Sequence, residues 1–363
     1  VTALVEGVVE LLAPRAQGKG LEIANSIAPD VPPTLIGDAA RIRQLLLNLA
    51  GNAVKFTEKG GIGVRVSMTP EGAVRFAVAD TGPGIPADRQ ASIFEEFEQV
   101  DGSATTKHEG AGLGLAISRR IIAAMGGTLT LEHSSPRGSV FAFSVDLAAA
   151  PKAAPAHAGP TLSGRRALIV GQSPFEAPYL GERLAAAGAE AIRADGADAA
   201  IDILERKPAP DIVIVDCALG EEATRRLAGA ARAAGVAKSL VLFSPFERRA
   251  FGQNSVGGFD GWLVKPVRSG SLIARLADAG GSVAADADAQ TRVVLPRRGL
   301  RVLVAEDNEI NALIARKHLE RLGAIVTRAR DGGEAAQLAT MAMQGEREPF
   351  DLILMDIRMP NLD

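Results

Sequence analysis

The sequence predicts an α/β protein of three units: an α/β sandwich, followed by two units in which helices wrap a parallel sheet. The 363 residues exceed what one compact core usually holds. Two stretches without usable periodicity, 148–163 and 280–299, are predicted linkers. After the first linker, short apolar strands alternate with amphipathic helices, which is typical of parallel sheets. The predicted units are 1–147, 164–279 and 300–363, the last of them incomplete.

The composition excludes several classes of protein. A net charge of -3 gives no bulk electrostatic basis for binding nucleic acid. The single cysteine, Cys217, excludes an internal disulfide framework and fits a reducing compartment. Because no apolar run approaches the roughly 20 residues of a spanning helix, we expect these residues to be cytoplasmic. Both ends of the sequence are abrupt, so we expect a fragment, and membrane attachment upstream of Val1 stays open.

The first unit is predicted to be an antiparallel or mixed sheet with helices on one face. Its predicted helices span about 1–18, 38–57 and 113–125, and its strands about 62–68, 73–80, 128–133 and 139–146.

The helix at 38–57 carries two separate stripes. Its apolar stripe, expected to pack on the sheet, consists of Ile42, Leu45, Leu46, Leu49, Ala53 and Phe56. Asn48, Asn52 and Lys55 follow one another at spacings of four and three, which places them along one edge of the helix. A solvated polar face is the alternative interpretation of that edge.

The segment Asp80-Thr-Gly-Pro-Gly-Ile85 follows the strand Val74–Ala79 directly. Alternation puts the Asp80 carboxylate on the apolar face of that strand, where it needs a hydrogen-bond donor. The amino group of adenine is a suitable donor, and the glycines allow the backbone to approach a ligand closely. An ordinary Asp-x-Gly turn is the alternative.

A second glycine-rich segment, Glu109-Gly-Ala-Gly-Leu-Gly-Leu115, opens the helix at 113–125. Backbone N–H groups at a helix N-terminus can cradle phosphates. Because no strand of a βαβ unit precedes this segment, it does not match the dinucleotide-binding fingerprint.

Four segments together, QLLLNLAGNAVKFT, DTGPGI, IFEEFEQ and EGAGLGLAI, resemble the signature boxes of the ATP-binding catalytic domain of sensor histidine kinases. The resemblance covers about residues 1–147 and implies that domain's α/β sandwich. It implies that Asn52 holds Mg²⁺ with ATP, that Lys55 contacts phosphate and that Asp80 accepts from adenine. The other ATP-site residues that it implies are Asn48, Gly82, Gly84, Ile85, Phe94, Phe97, Gly110, Gly112, Gly114, Leu115 and Ser139.

One position separates this sequence from the hydrolases of the wider superfamily, such as gyrase. Those enzymes carry a glutamate, the general base, four residues before the Mg²⁺-binding asparagine, where this chain has Asn48. Phosphoryl transfer to a histidine is therefore favoured over ATP hydrolysis. None of the four histidines, His108, His133, His157 and His318, has the sequence setting of a phosphoacceptor. The resemblance places the acceptor on dimerisation helices upstream of Val1, and so implies a homodimer in the full-length protein.

The last unit resembles the flavodoxin-like (βα)5 receiver domains of response regulators through RVLVAEDNEIN and DLILMDIRMP. The resemblance implies that Glu306, Asp307 and Asp356 hold Mg²⁺ and that Asp356 accepts the phosphoryl group. Clustered carboxylates suit that chemistry, although acidic loop ends are the alternative. A histidine phosphotransfer protein or a response regulator is the implied next partner.

The middle unit, 164–279, resembles a receiver whose chemistry has been removed. Gln172 and Ser173 stand where the acidic pair belongs, whereas Asp216, Ser244 and Lys265 occupy the other functional places. Without two carboxylates the Mg²⁺ site loses most of its charge, so we expect a pseudo-receiver in which Asp216 is phosphorylated poorly. Two roles are open: a spacer or docking surface for a protein, and a ligand sensor.

Pseudo-receivers of some hybrid kinases that resemble this unit bind cyclic di-GMP, for which arginines and an aromatic ring are suitable. The candidate residues are Arg248, Arg249, Trp262, Lys265, Pro266 and Arg268. A regulatory hypothesis is that Asp286, Asp288 and Arg292 of the second linker pin the pseudo-receiver against the catalytic domain. Two rival functions stay open: a kinase biased towards phosphatase activity, and a nucleotide-responsive scaffold without catalysis.

Overall fold

The computed structural model describes residues 1–95, 113–150, 162–244, 247, 258–277, 299–307, 309–321 and 323–356. Its contacts divide the chain into two compact units, Val1–Val283 and Ala284–Asp363. Within the described ranges, no helix has both the length and the apolar character needed to cross a membrane.

The first 150 residues form a mixed five-stranded sheet in the order β1-β3-β4-β6-β5. Strand β1 runs parallel to β3 and the other neighbours are antiparallel. The short strands β2 and β7 pair separately, so the sequence-predicted linker begins in a strand. The elements are α1 (Thr2–Gly18), β1 (Glu22–Ile27), β2 (Leu35–Ile36), α2 (Ala39–Phe56), β3 (Gly61–Met68), β4 (Val74–Asp80), α3 (Gly114–Ala124), β5 (Thr128–Ser135), β6 (Gly138–Val145) and β7 (Ala148–Ala149).

Helix α2 packs its apolar stripe into the core, with one exception. The Asp38 side chain caps its start by accepting from the backbone N–H of Arg41. Leu45 and Leu46 are fully buried, but Phe56 is 45% exposed, so its placement on the buried stripe was wrong. The helix ends at Phe56, and the next residue, Thr57, has an extended backbone. The ammonium of Lys19 donates to three carbonyl groups at this end, which satisfies acceptors that the helix leaves free.

The stretch predicted to be a pseudo-receiver forms a five-stranded parallel sheet in the order β12-β11-β10-β8-β9, with an apolar core on each face. This order is that of the flavodoxin-like fold, which confirms the predicted class. Its elements are β8 (Arg166–Val170), α4 (Glu176–Ala186), β9 (Glu190–Ala194), α5 (Ala197–Glu205), β10 (Ile212–Asp216), α6 (Glu221–Ala234), β11 (Lys238–Phe243), β12 (Gly261–Val264) and α7 (Ser269–Ala277).

The last unit holds three parallel strands in the order β14-β13-β15, which is the start of the same fold. Its elements are β13 (Arg301–Ala305), α8 (Glu309–Arg321), β14 (Ile325–Ala329), α9 (Gly332–Met343) and β15 (Leu352–Met355). The strand order brings the ends of β13 and β15 together, where Glu306 and Asp356 follow.

Candidate functional site

The Asp80 carboxylate lies at the end of β4 and is held by backbone amides. Its Oδ1 atom accepts from the N–H of Gly82 at 2.8 Å and from the N–H of Ser139 at 3.3 Å. Burial raises the pKa of Asp80, although both amides act to lower it. The carboxylate is therefore fixed in a partly desolvated cleft, where it can accept strongly from a ligand.

Two glycines bring the backbone around this carboxylate closer than any side chain would permit. Gly84 has a φ of +74°, and a Cβ there would lie 2.0 Å from the carbonyl oxygen of Ser135. Gly138 has a φ of +135°, and its Cβ would lie 1.9 Å from the carbonyl oxygen of Asp80. Nearby, the N–H of Ile85 donates to Ser134 Oγ at 2.7 Å. These contacts fix the DTGPGI segment against β5 and β6.

The hydroxyl of Thr57 completes this end of the cleft and was missed by the sequence analysis. Its Oγ1 atom is buried and has no hydrogen-bond partner among the described residues. A Cβ at Gly82 would lie 3.3 Å from this oxygen and 2.9 Å from Asp80 Oδ1. The hydroxyl and the carboxylate therefore lie next to the same point, beside Gly82. Since a buried unsatisfied hydroxyl is costly, a hydroxyl beside a carboxylate fits a ligand such as adenine. The only sequence signal was its place as the last residue of QLLLNLAGNAVKFT.

The polar edge of α2 faces the start of α3. Asn48 Nδ2 donates to Ser118 Oγ at 2.8 Å, and a Cβ at Gly114 would lie 2.5 Å from Asn48 Oδ1. Asn52 and Lys55 are half-buried on the same helix, and the Lys55 ammonium lies 4.7 Å from the ring centroid of Phe56. The structure therefore brings this edge to the α3 N-terminus, where phosphates are expected.

Two further predicted ATP-site residues, Phe94 and Leu115, lie beside or on α3. The rings of Phe94 and Phe141 meet edge to face with centroids 6.3 Å apart, and the Arg119 guanidinium lies 5.6 Å from the Phe94 ring centroid. Leu115 packs against the core of the sheet. Phe97, Gly110 and Gly112, which were also expected here, lie outside the described residues.

In the last unit the three predicted acidic residues converge. Glu306, Asp307 and Asp356 each offer a carboxylate oxygen, and the three oxygens lie within 4.8 Å of one another. Backbone bonds set this geometry, because the N–H of Asp356 donates to the Ala305 carbonyl at 3.0 Å. An all-oxygen donor set of this kind fits Mg²⁺.

Comparisons with known proteins agree with this geometry. Residues 37–149 match the family described as histidine kinase-, DNA gyrase B- and HSP90-like ATPase. The structure of full-length ShkA in complex with AMPPNP is 40% identical, with a TM-score of 0.67, over 99% of this chain and 72% of that one. The sensor histidine kinase GacS of Pseudomonas protegens is 30% identical over 371 residues, and the signal transduction histidine-protein kinase BarA of Escherichia coli K12 is 28% identical over 386.

The chain belongs to the sensor histidine kinase family. It spans 40% of the length of GacS and 39% of the length of BarA.

In the predicted pseudo-receiver of this histidine kinase, the ammonium group of Lys265 lies between two carboxylates. Lys265 Nζ lies 2.7 Å from Asp216 Oδ1 and 3.7 Å from Glu247 Oε2. Burial alone would lower the pKa of Lys265, but the two carboxylates outweigh it and raise the pKa. The buried pair neutralises Asp216 internally.

The candidate cyclic di-GMP residues are only partly together. Trp262 is half-buried on β12, with the Arg275 guanidinium 5.4 Å from its ring centroid, and Pro266 is half-buried in the next loop. Arg268 is exposed but paired with Glu10 of α1, with its Nη2 atom 2.6 Å from Oε2. Lys265 is held by Asp216 and is not presented to a ligand here. Arg248 and Arg249, and the linker residues Asp286, Asp288 and Arg292, lie outside the described residues.

A buried carboxyl group, Glu176, lies at the start of α4 and is 2% exposed. Burial raises its pKa to about 7, with Glu22 and Asp216 acting in the same direction and Arg183 and Lys265 opposing them. Because the folded-state pKa is raised above the ordinary value of 4.5, folding favours the protonated form. The contribution of Glu176 to stability is therefore fully present below about pH 4.5 and is lost as the pH rises through about 7.

Replacing Glu176 with glutamine is expected to remove this loss of stability. At pH 8 the Glu176→Gln variant should gain up to about 3 kcal/mol in free energy of unfolding, from the shift in pKa. Urea unfolding followed by the fluorescence of Trp262, the only tryptophan of the chain, reports on this unit. Glu205→Gln, at an exposed position, is the matched control. Parallel stability curves for wild type and Glu176→Gln from pH 5 to pH 8 would contradict the prediction.

Proposed function

We propose that this chain is the ATP-binding and receiver portion of a hybrid histidine kinase that phosphorylates a histidine on an upstream helix and relays the phosphoryl group to Asp356. The Asp80 cleft carries the proposal. It combines a fixed carboxylate, a hydroxyl that has no hydrogen-bond partner among the described residues, and two backbone approaches that only glycine permits. The AMPPNP bound to ShkA supports ATP as the ligand here.

Each group around the cleft has a role that its chemistry suits. Asp80 accepts from the adenine amino group, and Thr57 lies beside it to donate or accept. Asn52 offers an amide oxygen to the Mg²⁺ that accompanies ATP, while Lys55 screens phosphate charge. Asn48 is held by Ser118 and has no basic group, so water has no general base at this position.

The acidic cluster of the last unit suits the second step of the relay. An oxygen of Asp356 attacks the phosphorus of the phosphohistidine, the P–N bond breaks and the electron pair leaves with the imidazole. Glu306 and Asp307 would hold Mg²⁺ together with Asp356, and the ion would supply positive charge beside the attacked phosphoryl group. A histidine phosphotransfer protein or a response regulator then receives the group, and the full-length protein acts as a homodimer.

Labelling of the full-length protein with [γ-³²P]ATP tests the relay. Asn52→Ala is expected to abolish all label, whereas Asp356→Asn should retain only label that is stable to alkali, as phosphohistidine is. If Asp356→Asn carried as much alkali-labile label as wild type, a residue other than Asp356 would be the acceptor of the phosphoryl group.

We also propose that the pseudo-receiver binds cyclic di-GMP through Trp262 and Arg268, with Arg248 and Arg249 as further candidates. An exposed arginine in the loop that follows a half-buried indole on β12 supports this ligand. Arginine binds the guanine edge in a bidentate way, and an aromatic ring adds about 1–3 kcal/mol of stacking per base. Because Arg268 is paired with Glu10, a ligand that takes this arginine shifts the chain towards an arrangement in which the pair is broken. It stays a prediction that Asp286, Asp288 and Arg292 hold the pseudo-receiver against the ATP-binding domain.

Calorimetric titration of the chain with cyclic di-GMP tests this site. Arg268→Ala should abolish binding. Glu10→Gln should tighten it by up to about fivefold, since an exposed ion pair worth up to about 1 kcal/mol no longer competes for the arginine. No heat with wild type or with Glu10→Gln would exclude this ligand and leave protein docking as the role.

A further inference from the structure

The ATP-binding domain places one of its own carboxylates beside the degenerate pocket of the pseudo-receiver. Glu22 of β1 accepts through Oε1 from the N–H of Phe175 at 2.7 Å and from the N–H of Glu176 at 3.4 Å. The hydroxyl of Ser173 donates to the same carboxyl group. The N-cap residue of α4, Phe175, makes no side-chain capping bond, and Glu22 of the ATP-binding domain shares the capping of this helix with Ser173.

Two observations connect Glu22 to the lost phosphorylation site. Its donor Ser173 occupies a place that an acidic residue takes in a phosphorylatable receiver. The positive charge of Lys265, which neutralises Asp216, also attracts Glu22. We propose that the former phosphorylation pocket is a docking socket for Glu22, so that the loss of the acidic pair is what allows the ATP-binding domain to bind there.

The surfaces around Glu22 are shaped for this contact. A Cβ at Gly63 of β3 would lie 2.4 Å from Phe175 Cδ1 and 2.5 Å from the hydroxyl of Tyr179, so only glycine lets these rings rest on the sheet. Alongside, Glu182 accepts from Ser26 Oγ at 2.6 Å and from Arg65 Nη1 at 2.7 Å. Helix α4 thereby packs on the β1 and β3 edge of this sheet.

A second helix of the pseudo-receiver is capped by the ATP-binding domain in the same way. Glu6 of α1 accepts from the N–H of Ser269, the first residue of α7, at 2.9 Å. Gln17 Nε2 donates to the carbonyl of Lys265 at 3.1 Å. Both loops beside the pocket, before α4 and before α7, therefore dock on acidic or amide side chains of the ATP-binding domain.

The decisive variant is Ser173→Asp, which restores an acidic residue to the pocket. Ser173 Oγ accepts from the N–H of Ala177 at 3.0 Å, and aspartate caps a helix as well as serine does, so the pseudo-receiver itself should remain folded. In the docked arrangement, however, the new carboxylate meets Glu22, and like charges in contact are strongly unfavourable. Amide hydrogen exchange in peptides covering 22–27 and 174–180 of the 363-residue chain is expected to accelerate about tenfold or more.

A double variant distinguishes loss of the contact between the domains from local unfolding caused by the substitution itself. The double variant Ser173→Asp with Glu22→Gln removes the repulsion and should return exchange to within about threefold of wild type. Gly63→Ala should accelerate the same peptides by about tenfold or more from the other side of the contact. Gly72→Ala, which has nothing within 4 Å of its Cβ, should accelerate them by no more than about fivefold, the effect of its backbone strain of about 1 kcal/mol. Unchanged exchange in Ser173→Asp, or failure of the double variant to restore it, would overturn the proposal.

Discussion

Replacing Asp80 with asparagine is expected to reduce the affinity of the 363-residue chain for AMPPNP by about 100-fold, a loss of about 2.7 kcal/mol. The amides of Gly82 and Ser139 already bind one carboxylate oxygen. An asparagine that keeps those bonds turns its NH₂ group towards the adenine amino group, and two donors then face each other. Calorimetric titration with Mg²⁺ and AMPPNP measures the loss.

The control for this variant is Asp88→Asn, which removes the same charge from an exposed position in the same segment. It should bind AMPPNP within about twofold of wild type, since an exposed charge contributes little. Equal affinities for wild type and Asp80→Asn would show that the nucleotide does not use this carboxylate.

Replacing Gly138 with alanine is expected to destabilise the sheet of the ATP-binding domain by about 3 kcal/mol. A side chain at a φ of +135° is strained, and the added Cβ would lie 1.9 Å from the carbonyl oxygen of Asp80. Because that oxygen belongs to the backbone, the end of β4 must move, and the Asp80 carboxylate moves with it. Nucleotide affinity should fall together with stability.

Gly72→Ala is the control that separates backbone strain from the steric clash of the added Cβ. Gly72 has a φ of +91° but nothing within 4 Å of its Cβ, so only the backbone strain of about 1 kcal/mol applies. Urea-dependent hydrogen exchange of peptides from β4 and β6 reports the unfolding of this sheet separately from the other units. Equal destabilisation by the two alanines would mean that the contact with Asp80 carries no cost.

Sequence periodicity predicted most of the first unit, because its elements bury one face. The stripe of α2 and the alternation of β4 matched the buried positions, with Phe56 as the exception at a helix end. Strand β1 was missed for a physical reason. It buries the polar residues Asn25 and Ser26, and α4 of the pseudo-receiver covers it, so it shows no alternation. When another domain covers the outer face of a strand, the residues of that strand no longer alternate between polar and apolar, so the strand cannot be recognised from its own sequence.

The candidate sites divide in the same way. Asp80 and the acidic residues of the last unit were predicted from their positions at strand ends. The structure holds Asp80 by a backbone amide, and it brings the three carboxylates of the last unit together at a separate place. The contact of Glu22 with Phe175 joins residues 153 positions apart, and that of Glu10 with Arg268 joins residues 258 apart. No local spacing encodes such pairs. The sequence analysis assigned Lys265 and Asp216 to two functional places of a receiver, but it did not predict that the two side chains form an ion pair.

The fate of the γ-phosphoryl group in the full-length protein tests most directly whether the Asp80 cleft serves a kinase. With [γ-³²P]ATP in a single turnover, most of the phosphoryl group released from ATP should appear first on the protein, because Asn48 offers water no general base. Free phosphate should follow only as the aspartyl phosphate at Asp356 decays. Free phosphate that appears from the start, without labelled protein, would identify an ATPase and contradict the assignment.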